Sequence, residues 1–356
     1  MANLKERLLK NSTLNYIKSL TKSDIINNVE NIPTKVYAIN IALSGKLLGG
    51  IKRGTTLICG PSRHFKTNYS LIMAEAYLKQ YPEAMCLFLD CEGGTPKDYF
   101  ESVGIDSDRV IHGFFKNIEQ LKHELVSQLE EIDPINDKLI IIIDSIGSAA
   151  SLKEITDAEE GKSVGDMTRA KTLKSLWRII TPFLIEKNVP LIAINHVYQE
   201  IGPLYPKTIV GGGQGPLLSA DNVWIVGRSQ EKDGTELLGY NFIINIEKSR
   251  YVREKTKIPI TVKFDGGISI YSGLIDIAME TGHVIKPSNG WYSRVIDGVV
   301  EDKKYRLKDT DNKRFWDDII NQKSFHEAIE KLFRISTEKL ISDEEIEEEF
   351  DKVVKE

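Results

Sequence analysis

Cysteine is scarce in this chain: Cys59, Cys86 and Cys91 are the three among 356 residues. An odd number makes no self-contained disulfide framework, and the spacing fits no zinc site. The expectation is buried, reduced thiols in a cytoplasmic protein. Long apolar runs are missing too. The longest, Ala84–Leu89, is far too short to cross a bilayer, and the Met-Ala-Asn-Leu-Lys start has no apolar leader core. Charge of one sign is not in large excess either, at −5 net, and its distribution is uneven. Residues 336–356 carry nine acids against three lysines, so the body of the chain is close to neutral. A neutral body leaves room for local basic patches that meet an anionic partner. What remains is ordinary globular composition, 41% hydrophobic and 28% charged, enough for one large domain or two modest ones.

Residues 1–30 read as an amphipathic lead-in. Leu14, Ile17 and Leu20 recur at a spacing of three and predict one apolar stripe on a short helix, which could dock on a neighbouring subunit or pack back on its own chain. From Thr55 the pattern alternates strand and helix. "TTLIC", "MCLFLD", "LIIIID" and "PLIAIN" are continuously apolar, while 67–80, 124–132 and 167–187 are helical, the last interrupted near Pro182. Such β-α-β repeats imply an α/β fold, a mainly parallel twisted sheet covered by helices. "NVWIVGR" and "YNFIINIE" flank Asp233-Gly234, which predicts an antiparallel hairpin extending that sheet. Past Trp291 the chain turns polar and helical and predicts a small appended lobe.

One more absence matters. Gly60-Pro61-Ser62-Arg63-His64-Phe65-Lys66-Thr67 is a phosphate-binding loop, G-x-x-x-x-G-K-[ST], lacking its second glycine. The loop lies between a predicted strand and helix, where backbone N–H groups and the helix dipole favour phosphate oxygens. Lys66 would reach the outer phosphates of a bound nucleotide and the Thr67 hydroxyl would ligate Mg²⁺. Phe65 is tolerable if its backbone stays right-handed and its ring turns away. Asp144 ends a buried strand, the place for a carboxylate that holds the Mg²⁺ hydration shell, or else caps a helix. Asp90 and Glu92 end another strand. Glu92, further out, is the better candidate to deprotonate an attacking water, though either acid could be a plain loop residue. His196 follows "AIN" and could report the state of the phosphate to the segment after it, or be structural.

That segment, 197–213, is rich in Gly and Pro. Tyr198, Tyr205 and Lys207 offer stacking and charge, and Gly211, Gly212 and Gly213 allow close backbone approach to a ligand. A second polar stretch, 153–166, precedes a helix bearing Arg169, Lys171, Lys174 and Arg178. Lys171, Lys174 and Arg178 fall at i, i+3 and i+7, a basic stripe that is either a solvated face or a track for single-stranded nucleic acid.

With "GPSRHFKT", "CLFLDCEGG", "DMTRAKTLKSLWRIITPF", "PLIAINH", "KTIVGGGQGP", "NIEKSR", "FDGGISIYSGLIDIA" and "KPSNGWYSR", the chain resembles the RecA-type recombinases, and among them the UvsX-type recombinases of T-even-like bacteriophages. The resemblance spans about residues 33 to 295 closely and both ends loosely, and Phe65 looks like a trait of the phage members. It implies a RecA-like P-loop core, 33–285, behind a self-association arm, 1–32, and before a C-terminal helical lobe with an acidic tail, 286–356. It further implies an ATP- and Mg²⁺-dependent, DNA-stimulated ATPase that forms helical filaments on single-stranded DNA and exchanges strands with homologous duplex. Mediator and single-strand-binding proteins would assist in the cytoplasm of an infected host cell, with no membrane involved. Glu92 resembles the catalytic base, Tyr99 the aromatic that stacks on adenine, and His196 stands where many relatives sense the γ-phosphate. Lys248 and Arg250 resemble the paired cations that reach a neighbour's ATP. Segments 153–166 and 197–213 resemble the DNA-binding loops. A RecA-fold regulatory ATPase or ring motor, and a nucleotide-binding filament protein without catalysis, are the competing readings at this point.

Overall fold

The computed structural model describes residues 3–335, except 15, 28, 163–167, 201–207 and 234–235; the acidic tail lies outside the described residues. A nine-stranded sheet organises the chain. Its strands in chain order are β1 (Gly54–Cys59), β2 (Met85–Asp90), β3 (Val110–Phe114), β4 (Leu139–Asp144) and β5 (Pro190–Asn195). After a separate hairpin of β6 (Val197–Gln199) and β7 (Thr208–Val210), the sheet resumes with β8 (Asn222–Asp233), β9 (Glu236–Ser249), β10 (Lys257–Lys263) and β11 (Gly267–Ile268). The spatial order is β11-β10-β9-β8-β1-β5-β4-β2-β3. All pairs from β8 through β3 are parallel, and β9, β10 and β11 continue the sheet antiparallel, as the two kinds of strand pattern predict. Asp233 pairs with Glu236 at the tip of the β8–β9 hairpin.

Every residue of β1, β4 and β5 is buried because both sheet faces are covered. Ile140 and Ile142 point into one apolar cluster, while Ile141 and Ile143 point into the other. The first face receives α4 (Lys66–Gln80) through Tyr69, Met73 and Tyr77. The second receives α6 (Ile118–Glu131) and α8 (Thr168–Glu186). In α6, Leu121, Leu125 and Leu129 form one buried row, and the Asn117 carboxamide accepts from Gln120 N to cap the start.

Four expectations change. The long helix α8 runs through Pro182 without interruption. Pro182 lies on its exposed side, where water can serve the carbonyl that loses its donor, while Trp177, Ile180 and Leu184 are fully buried on the other side and hold the helix through. Leu14, Ile17 and Leu20 do not share a helix. Helix α1 spans Leu4–Lys10, only Leu20 enters a short 3-10 turn, and α2 is Asp24–Asn27. The polar stretch after Ala150 begins as α7 (Leu152–Glu159), started by a capping box of Ser151 and Glu154. Finally, the C-terminal lobe is not simply helical. Strands β12 (Val284–Ser288), β13 (Trp291–Ile296), β14 (Val299–Val300) and β15 (Tyr305–Arg306) make a small antiparallel sheet ahead of two helices, Lys313–Ile320 and Lys323–Phe333. Phe315, Trp316, Ile319 and Phe325 join the same apolar cluster as Ile39 and Ile41 of α3 (Tyr37–Ser44), so this lobe shares its core with the large sheet.

Candidate active site

Four neighbouring parallel strands end side by side, and each delivers one part of the site. In spatial order β1 opens into the phosphate loop, β5 leads to His196, β4 ends at Asp144, and β2 ends at Asp90 with Glu92 just beyond. Asp90 and Asp144 are register partners. The carboxyl ends of parallel strands are where an α/β sheet binds ligands.

The loop Gly60–Thr67 leads straight into α4, whose first residue is Lys66. Gly60 admits no side chain without crowding, since a Cβ there would lie 3.1 Å from Val226 O. Pro61, Ser62 and Arg63 are exposed, and His64 is half-buried with Nδ1 2.9 Å from Ser62 O. Phe65 departs from the expectation: its backbone is left-handed, φ 62° and ψ 16°. That is the conformation the missing glycine would adopt freely. Its ring does turn away from the loop, packing on Tyr69 and Phe242 at centroid distances of 5.4 and 5.5 Å. Lys66 is buried, and its Nζ donates to Pro61 O at 2.8 Å across the mouth of the loop. Burial holds its pKa below the ordinary lysine value, against the pull of Asp144 and Glu92.

The Thr67 hydroxyl donates to Asp144 Oδ2 at 2.7 Å, bringing together the two residues expected at the metal. Burial pushes the Asp144 carboxyl up to about 6; the Thr67 hydrogen bond opposes this and the neighbouring acids Glu92 and Asp90 add to it. A desolvated carboxylate beside a hydroxyl is a hard-oxygen pair suited to Mg²⁺, which keeps most of its shell as water and phosphate oxygens. Among the described residues there is no cluster of three His, Cys, Asp or Glu that would hold a metal by protein ligands alone.

Glu92 Oε1 accepts from Ser145 Oγ at 2.6 Å and Ser148 Oγ at 2.7 Å, and lies 3.3 Å from His196 Nε2. Burial opposes ionisation of Glu92, but these hydrogen bonds outweigh it and keep its pKa below the usual carboxylate range. Sequence reasoning missed both serines; they follow Asp144 in "DSIGS", where no spacing rule marks them. It also left Asp90 without a role. The Asp90 carboxylate accepts from the backbone N–H of Glu92 and Gly93, so it shapes the turn that carries Glu92. Cys91 is half-buried, not buried like Cys59 and Cys86, and its Sγ donates to Ser145 O at 3.1 Å. Tyr99 is half-exposed on α5 (Lys97–Val103), the helix that follows.

His196 sits at the root of the β6–β7 hairpin. Asn195 Nδ2 donates to Gly211 O, Asn195 Oδ1 accepts from His196 N, and Gly211 N donates to His196 O. Residues 197–199 and 208–210 of the 197–213 segment thus form a strand pair tied to the site. Gly211 and Gly212 are buried, and their close approach is to their own chain: a Cβ would lie 3.1 Å from Asn195 Oδ1 and 2.7 Å from Leu173 Cδ1. Gly213 and Tyr198 are exposed, while Tyr205 and Lys207 lie outside the described residues, as do 163–166 of the other loop.

Lys171, Lys174 and Arg178 are all exposed on α8. Arg169 stands apart from that stripe, because its guanidinium is turned inward and donates to the carbonyls of Ala149, Ile146 and Gly147. Lys248 and Arg250 do not join the phosphate loop. Register puts Lys248 opposite Val223 of β8, which pairs with Leu57, and Arg250 N donates to Asp221 O near Thr55. The Lys248 Nζ donates to Leu217 O and Leu218 O at the end of the short helix Gln214–Ser219, and Arg250 pairs with Asp221 at 2.5 Å. Arg250 therefore lies beside the amino end of β1, and Lys248 lies two strands aside, level with the middle of β1, whereas the loop leaves the carboxyl end.

The RecA N-terminal domain family matches residues 5–269, and the C-terminal domain family of the bacteriophage T4 recombination and repair protein matches residues 271–329. The chain is 46% identical to the recombination and repair protein of Enterobacteria phage T4 over 360 residues, covering 99% of this chain and 91% of that protein. It is 30% identical to protein RecA of Bacteroides thetaiotaomicron over 274 residues, 76% of this chain and 79% of the relative. Protein RecA of Streptomyces rimosus is 29% identical over 280 residues, 78% of this chain and 71% of the relative. Two adjoining family matches that take in almost all the described chain, and a site assembled on the strands where such a fold keeps it, lead to one conclusion: the chain belongs to the RecA family of recombinases.

Proposed function

We propose that this DNA-dependent ATPase binds ATP at the seam between protomers of a filament on single-stranded DNA, and that hydrolysis there releases the joint. The observation that carries the reading is the separation within one chain of the phosphate loop from Lys248 and Arg250. Two cations turned away from their own loop can serve the next protomer's γ-phosphate, where paired positive charge stabilises the transferring group.

Within a protomer, the loop amides and Lys66 would hold the phosphates and Tyr99 the base. Thr67 and Asp144 would hold Mg²⁺, which when bound neutralises charge on the outer phosphates. Glu92, kept ionised by Ser145 and Ser148, takes a proton from the attacking water. His196 contacts Glu92 on one side and continues into the β6–β7 hairpin on the other, so the state of the site is felt at the root of 197–213. That segment with Tyr198, Tyr205 and Lys207, together with Lys171, Lys174 and Arg178, would track the strand by stacking and phosphate contacts while homologous duplex is tested. The arm, residues 1–32, would tie neighbouring protomers together, and mediator and single-strand-binding proteins would load the filament in the host cytoplasm. Among the described residues no helix is long and apolar enough to cross a membrane.

The test is the double variant Lys248→Ala/Arg250→Ala. Circular dichroism should report a folded protomer that still binds an ATP analogue, while DNA-stimulated hydrolysis falls about 100-fold or more. Wild-type DNA-stimulated turnover in that variant would overturn the shared site.

A further inference from the structure

None of the roles above uses the ring that stands in place of the loop's second glycine. The left-handed backbone at Phe65 brings its Cβ close to carbonyl oxygen, a conformation that costs an L-residue energy and a glycine nothing. Such a residue persists where its surroundings over-determine it. Here they do. The Phe65 ring meets Tyr69 edge-on, 5.4 Å away at 73°, and Phe242 at 5.5 Å, while Tyr69 and Phe242 are themselves buried and 6.4 Å apart. Phe242 lies on β9, held between β8 and β10, so this three-ring contact fastens the phosphate loop to the interior of the sheet's antiparallel half. A second tie runs beside it. Arg228 of β8 donates from Nη1 to Arg63 O at 2.9 Å and stacks over Tyr240, 4.6 Å from the ring centroid.

We propose that Phe65 is a positioning residue: its ring anchors the phosphate loop to Phe242 of β9, holding the loop amides and Lys66 in their phosphate-binding arrangement before ATP arrives. With glycine the loop would be free to sample other arrangements, and ATP would have to order it on binding. The phenylalanine carries that ordering within the folded protein, which favours affinity more than the chemical step. The proposal rests on reading this loop as the ATP site.

Phe65→Gly separates an anchor from a merely tolerated side chain, because it removes backbone strain and ring together. If the ring anchors the loop, KM for ATP and the Kd of a non-hydrolysable analogue rise about tenfold while kcat changes less than about twofold. Phe65→Leu, which keeps apolar bulk and loses the ring contacts, should fall between, and it decides by the same readouts if the glycine variant does not fold. Phe242→Leu should move KM the same way, and adding it to Phe65→Gly should raise KM little further, since the contact is already gone. An unchanged or lowered KM in Phe65→Gly overturns the proposal. Lys66→Ala keeps the two questions apart: retained hydrolysis in Lys66→Ala refutes the ATP-site reading, whereas its loss alongside a wild-type Phe65→Gly refutes only the anchor.

Discussion

Helix α1 and the phosphate loop are built on opposite terms. Helix α1 satisfies local rules. Asn3 and Glu6 form a capping box, Glu6 sits in the first turn, Arg7 and Lys10 sit in the last, and yet no residue of the helix is buried. Leu4 and Leu8 are 62% and 60% exposed. Seven residues are too few to hold a helix firmly by local bonds alone, and among the described residues Leu4 and Leu8 find no cover. The loop breaks local rules: a phenylalanine in left-handed conformation heads a helix with no side-chain cap. It is nonetheless embedded, with Lys66 only 7% exposed and Tyr69 wholly buried. The difference teaches that local signals mark where an element starts, while burial decides whether the element stands by itself.

The contrast can be broken at either end. The largest effect belongs to the embedded end. Lys66→Ala should lower ATP hydrolysis about 1,000-fold or more, measured as phosphate release with single-stranded DNA; most activity retained would mean that the loop's burial serves structure alone. Next is Glu92→Gln, which keeps shape and hydrogen-bond capacity and removes the base. Turnover should drop about 100-fold while ATP-analogue binding stays near wild type. Equal losses in binding and turnover would make Glu92 a ligand for the nucleotide instead. The smallest effect on the single chain belongs to α1. Leu4→Ser/Leu8→Ser should leave the melting temperature of the dilute protomer unchanged, yet weaken filament assembly measured by light scattering. Burying a leucine on a neighbour contributes about 1.5–3 kcal/mol. A melting temperature lowered by several degrees would show that α1 packs on its own chain.

Legibility in the sequence followed the same division. Strands such as "LIIIID" were readable because both faces are covered and nearly every residue must be apolar, and the placing of Lys66, Thr67, Asp144 and Glu92 at or just past strand ends was readable because each follows such a run. The interruption expected at Pro182 was not borne out, since the ring faces solvent and the buried Trp177 row carries the helix past it. The right-handed backbone expected for Phe65 also failed, because Phe242, far along the chain, supplies the contact that holds the other conformation. The Arg169 guanidinium turns to backbone carbonyls that only folding brings near. A helical lobe was expected after Trp291, but β12 to β15 are short strands whose apolar pattern is too brief to announce them.

By itself the sequence determined the alternation of strands and helices in the core, the placing of the loop Gly60–Thr67 at a strand's end, and the acids at the neighbouring strand ends, because each depends on residue type and near-neighbour spacing. Only the tertiary structure decided that Ser145 and Ser148 keep Glu92 charged, that Lys248 and Arg250 lie away from their own loop, and that a phenylalanine can stand in for glycine. Those outcomes depend on distances between residues remote in the chain, and such distances exist only after the sheet has formed.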